Sequence, residues 1–154
     1  MTADGNKAIV VWGWQAPGST SAYLMAWTST PGNDPISSTL LDAKYMEADI
    51  SKDGNYISFV TTANLVGYRD IGGETENIIG QGSNISWTDD NKIGFVDFIG
   101  GYSLYDTNNQ TLKNYSIEAG YFLQCAVING AGTKIAFRTF GGPNTGIAVG
   151  ILNN

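Results

Sequence analysis

A polar turn followed by an alternating apolar strand returns four times along this chain. That recurrence limits the fold more than any other feature. The copies are DGNKAIVV (Asp4–Val11), DGNYISFV (Asp53–Val60), DDNKIGFV (Asp89–Val96) and AGTKIAFR (Ala131–Arg138). Aligned on Asn6, Asn55, Asn91 and Thr133, they stand 49, 36 and 42 residues apart. In the second copy Gly54 can take a positive φ, and Asp53 or Asn55 can bond its own backbone, so the polar half is turn chemistry. Ile57 and Phe59 then share one face of an extended strand, with Tyr56, Ser58 and Val60 on the other. The pair returns as Ile93/Phe95 and Ile135/Phe137, and the first copy has the smaller Ala8/Val10.

Each later copy follows another short extended segment, MEADIS, GSNISW or CAVING. Two extended segments joined by a DG-like turn read as a β-hairpin. Further strands are expected in SAYLMAWT, STLLDA, YSLYD, TLKNYS and IAVGIL, and more weakly in NLVGYRD and ENIIG. DAKYMEADI could be drawn as a helix, but YMEADI runs straight into the turn where other copies have a strand. Four short strands per unit, repeating at about 42 residues, match propeller blades. One such unit cannot cover both its apolar faces, so neighbours must stack. The expectation is an all-β fold: a single domain over residues 1–154, a β-propeller of about four blades per chain, closed alone or completed by a second chain. A β-trefoil also suits this length but predicts three similar units.

The run SKDGNYISFVTTANLVG resembles the TolB-like or WD40-like β-propeller repeat, whose core is Ser-x-Asp-Gly-x-x-Ile-x-Phe. WTDDNKIGFV and NGAGTKIAFR keep its hydrophobic half and lose parts of the turn. The resemblance implies that the run joins the innermost strand of a blade to the second. It places Ile50, Ile85 and Val127 in or near inner strands, and packs Phe59, Phe95 and Phe137 between neighbouring blades. It also implies a protein-interaction platform, a peptidase gating domain or a cell-surface binding module, and transfers no catalytic residue. Members usually close with six to eight blades. Here the first unit lacks an inner strand and the last an outer one. Unsatisfied strand edges favour pairing with another copy, so a homodimer of about eight blades is expected.

Composition narrows function further. Charged residues are 14 % of the chain and the net charge is −6, with no clustered lysine or arginine. That speaks against nucleic acid and against an anionic membrane surface. No apolar run reaches transmembrane length, and the start lacks the pattern of a secretory signal. Histidine is absent, which removes the commonest neutral-pH base and metal ligand. The one cysteine, Cys125, cannot form an internal disulfide and is expected to be a buried thiol in YFLQCAVI.

No catalytic residue, metal or cofactor is expected. Asp53 and Asp89 are read as turn residues, Glu74 and Glu76 as solvated. A glycoside hydrolase needs two carboxylates placed across a sugar, and nothing places them. The aromatic surplus Trp12, Trp14, Tyr23 and Trp27 crowds the first unit. Trp14, Gln15, Tyr23 and Trp27 are therefore the ligand-binding candidates, since aromatic platforms beside amides suit sugars and Trp and Tyr dominate protein hot spots. The leading function is a non-enzymatic propeller scaffold for a protein partner or self-assembly. The rival is a carbohydrate-binding lectin, with a glycan as partner.

Overall fold

The computed structural model describes residues 2, 7–12, 21–26, 37–40, 45–117, 123–139 and 146–152, and only the backbone of 7–12, 21–26 and 37–40. These residues form thirteen β-strands and no helix. The first sheet is β1 (Lys7–Trp12), β2 (Ser21–Ala26) and β3 (Ser37–Leu40), in that order. A seven-stranded sheet contains β4 (Tyr45–Ile50), β5 (Tyr56–Thr61), β6 (Leu65–Asp70), β7 (Asn77–Trp87), β8 (Lys92–Asp97), β9 (Tyr102–Asp106) and β10 (Thr111–Tyr115). The last sheet is β11 (Leu123–Ile128), β12 (Lys134–Thr139) and β13 (Gly146–Ile151). Every pairing is antiparallel between sequence neighbours.

The seven-stranded sheet is two four-stranded groups run together. Asn77–Gln81 of β7 pair with β6, whereas Gly82–Trp87 pair with β8. One strand thus closes the second group and opens the third. The step from β3 to β4 crosses only four residues, so β3 is an outer strand and β1 stands where second strands stand elsewhere. YMEADI is strand β4 rather than helix. The result is an all-β, partial propeller-like arrangement, with no pairing between the first and last sheets among the described residues.

One local device builds the hairpin in all three later groups. The side-chain oxygen of Ser51, Thr88 or Asn129 accepts from the backbone N–H of Tyr56, Lys92 or Lys134, at 2.9, 2.9 and 2.7 Å. The N–H of the same Ser, Thr or Asn donates back to that partner's carbonyl. Both ends of the turn are satisfied by one small polar residue. Asp53 follows the expectation, accepting from Asn55 N–H at 3.0 Å and Ser51 Oγ at 2.6 Å. In the third group the corresponding carboxylate is Asp90, which accepts from Thr88 Oγ1 at 2.6 Å. Asp89 lies in the turn as expected, but this turn is one residue shorter, so its neighbour Asp90 takes the position two after the hydroxyl.

The core repeats between sheet groups. Ile93 and Phe95 pack with Val60, Val66 and Tyr68 of the preceding group. Ile135 and Phe137 pack with Val96, Tyr102 and Leu104. Gly94 lies beneath Tyr102: a β-carbon there would stand 2.0 Å from the Tyr102 hydroxyl. Glycine is required because the ring crosses the strand at that point.

Candidate interaction surface

The last sheet is covered on one face only. In β12, Ile135, Phe137 and Thr139 are buried while Lys134, Ala136 and Arg138 are exposed. Register sets Val127 and Val149 beside Ala136, Ile147 beside Arg138, and Ile151 beside Lys134. Strand pairing therefore gathers four aliphatic side chains on the uncovered face. Ile147, Val149, Ile151 and Val127 are 85, 66, 69 and 58 % exposed.

The preceding group shows what this face does when covered. Val96 pairs with Tyr102 and Gly94 with Leu104, just as Arg138 pairs with Ile147 and Ala136 with Val149. Ile147 therefore stands where Tyr102 stands, and Val149 where Leu104 stands. Tyr102 and Leu104 are 0 and 9 % exposed, buried with Phe137 and Ile135 of the last sheet. The two faces share aliphatic or aromatic residues at these two positions, but Arg138 stands where the covered face has buried Val96. Scattered surface aliphatics are ordinary, but a contiguous patch marks an interaction site.

Cys125 corrects an expectation, for its side chain is exposed. A β-bulge interrupts β11 between Gln124 and Val127, and Cys125 takes φ +53°. The extra residue shifts the alternation. Ala126 and Ile128 turn inward, and Cys125 and Val127 face outward. The apolar neighbourhood in the sequence gave no hint of that slip.

The other face of β13 borders a groove of about 780 Å³. Tyr115 on β10 and Ile117 just after it form one wall, Ala148 and Gly150 of β13 the other, with Tyr102 and Phe137 at the floor. Burial pushes the Tyr102 hydroxyl up to about 12. It stays neutral at physiological pH.

The ligand candidates fare differently. Trp14, Gln15 and Trp27 lie outside the described residues. Tyr23 is in β2, its backbone paired with Val10 and Leu40. Phe59 is buried and stacks on Tyr45, ring centres 4.3 Å apart. Phe95 and Phe137 are buried in the two later cores. The three phenylalanines are distributed one per sheet group and do not converge.

Among the described residues, Asp49 and Asp53 are engaged in structure. Burial raises Asp49, opposed by the Ile50 N–H that it accepts at 2.8 Å. Burial pushes Asp53 the same way, but bonds from Ser51, Asn55 and Asn91 outweigh it and lower the group. Among the described residues no three metal-ligating side chains converge, and no helix is long and apolar enough to cross a membrane.

No protein-family profile matches the chain, and no curated protein matches it either. Solved structures do. TolB from Acinetobacter baumannii superposes with TM-score 0.70 at 20 % identity, over 97 % of this chain and 39 % of that one. The Myceliophteria thermophila Cps50 (Swd1) β-propeller domain gives TM-score 0.54 at 10 % identity, over 79 % of this chain and 45 % of that one. The chain spans less than half the length of each. At these identities the likeness is one of fold: the protein is similar to β-propellers, distantly and without a specific family.

Proposed function

We propose that the protein is a non-enzymatic scaffold of propeller type, which binds protein, including a second copy of itself, through the uncovered face of its last sheet. The carrying observation is that Ile147 and Val149 are exposed at positions whose equivalents, Tyr102 and Leu104, are buried under the next sheet. The first sheet of another copy is a suitable cover. Its β1 has Ala8 and Val10 where later groups place the Ile-x-Phe pair that meets the preceding sheet. Such a head-to-tail contact joins two different surfaces and closes only if the rotation completes a ring. Two copies supplying about eight blade-like units would do so.

Light scattering over a concentration series tests the reading. A mass near twice the 16.4 kDa of one chain is expected at micromolar concentration. Val127→Asp and Ile147→Asp each place a charge on the uncovered face and should return the protein to one chain mass. A wild-type protein that stays at one chain mass at high concentration would overturn self-assembly.

A further inference from the structure

We propose that the bulge of β11 is an anion site, at which the backbone N–H groups of Cys125 and Ala126 together bind a small free carboxylate. The site faces the preceding sheet group. It depends neither on the chain's last residue nor on self-assembly.

β7 and β11 carry the same bulge. In β7, Ser83 faces Val96 and Ser86 faces Gly94, so Asn84 and Ile85 share the position opposite Phe95. In β11, Gln124 faces Arg138 and Val127 faces Ala136, so Cys125 and Ala126 share the position opposite Phe137. The first residue of each pair is left-handed, with φ +57° at Asn84 and +53° at Cys125. Such a conformation turns two successive N–H groups toward one point, a concavity suited to an anion. In β7 that point is occupied. Glu47 Oε2 accepts from Asn84 N–H at 2.7 Å and from Ile85 N–H at 3.3 Å. The protein's own filled bulge therefore binds one carboxylate oxygen.

The bulge of β11 has no such side chain. Glu47 pairs with Val60, and the matching residue one group later is Ser83, paired with Val96. A serine is too short to cross to the next inner strand. Its Oγ instead accepts from Asn84 Nδ2 at 2.8 Å. β7 reaches β11 only lower down, where Ser86 Oγ accepts from Ile128 N–H at 3.2 Å. Among the described residues no side chain accepts from the N–H of Cys125 or Ala126. Ala126 is buried while the Cys125 side chain is exposed, so the concavity opens at the surface with one of its donors drawn from the core. A carboxylate there makes charge-assisted bonds, about twice as strong as those a water would make.

Amide NMR with acetate as the probe tests the site. Replacing chloride by acetate at constant ionic strength should shift the Cys125 and Ala126 amides saturably and leave Asn84 and Ile85 unmoved. Glu47→Ala empties the first bulge, so in that variant acetate should shift Asn84 and Ile85 as well. Ser83→Glu supplies a carboxylate from within the chain and should weaken acetate binding at Cys125 at least tenfold, with Ser83→Gln doing clearly less. No acetate shift at Cys125 and Ala126 in the wild-type protein would overturn the proposal, whether or not the variants fold. Binding that a folded Ser83→Glu leaves unchanged would overturn it too, because the anion would then lie elsewhere than in the place matching that of Glu47.

Discussion

The carboxylate of Glu47 closes a bulge in a neighbouring strand: its Oε2 accepts from Asn84 N–H at 2.7 Å and from Ile85 N–H at 3.3 Å. Asn84 has φ +57°, the left-handed conformation that turns successive N–H groups toward one anion. The bulge sits in β7 between Ser83 and Ser86, and Glu47 reaches it from the inner strand of the preceding group. A hydrogen bond to a charged group contributes about 1.5–3 kcal/mol. Glu47→Ala should therefore cost about 2 kcal/mol in chemical denaturation, with Glu47→Gln losing clearly less. Equal, negligible losses would show that solvent satisfies the bulge equally well.

The two later phenylalanines should not be equivalent. Phe95 is sealed between groups, while Phe137 forms part of the groove floor. Replacing a fully packed Phe by Ala costs about 3–5 kcal/mol, because a cavity adds to the lost transfer energy. Phe95→Ala should fall in that range and Phe137→Ala below it, since water can enter the space from the groove. Denaturation midpoints of the two variants check the order.

The same pair explains what the sequence made legible. The fourfold Ile-x-Phe return was readable because a strand alternates with period two, and one face must be buried against a neighbour. Nearly every strand was visible for that reason, including the weak NLVGYRD and ENIIG segments, which became β6 and the start of β7. What stayed hidden were departures from alternation. The bulge at Cys125 reverses one residue's face without changing any residue type. The small polar cap at Ser51, Thr88 and Asn129 was also missed, because three residue types share one role. The uncovered face was harder still. IAVGIL reads as an apolar strand whether or not another sheet lies over it.

Asp49 gives a pH dependence of definite sign. Burial raises its pKa above the ordinary 3.8 despite the Ile50 N–H. A raised folded-state pKa means that the native protein holds its proton more tightly than the unfolded chain. Stability from this group is therefore greatest below the unfolded value and declines as pH rises through the folded one. Asp49→Asn, which keeps an acceptor oxygen without the charge, should be more stable than wild type at pH 7. The advantage should shrink as pH falls toward 3.8. Urea titrations at several pH values measure it, and a loss of stability at pH 7 would mean that the carboxylate's own bonds outweigh its burial.

Cys125 reports on the uncovered face directly. Its thiol is exposed, two residues from Val127 on the bulged strand. In dilute native protein a thiol reagent should modify Cys125 to completion, without denaturant. If a second copy lies over the face, raising the protein into the micromolar range should slow that reaction, and Ile147→Asp should restore the dilute rate. The comparison separates burial within one chain from burial between two. Slow labelling at every concentration would place the thiol inside the monomer. Labelling that is fast at every concentration would leave the face uncovered, and self-assembly would have to proceed elsewhere.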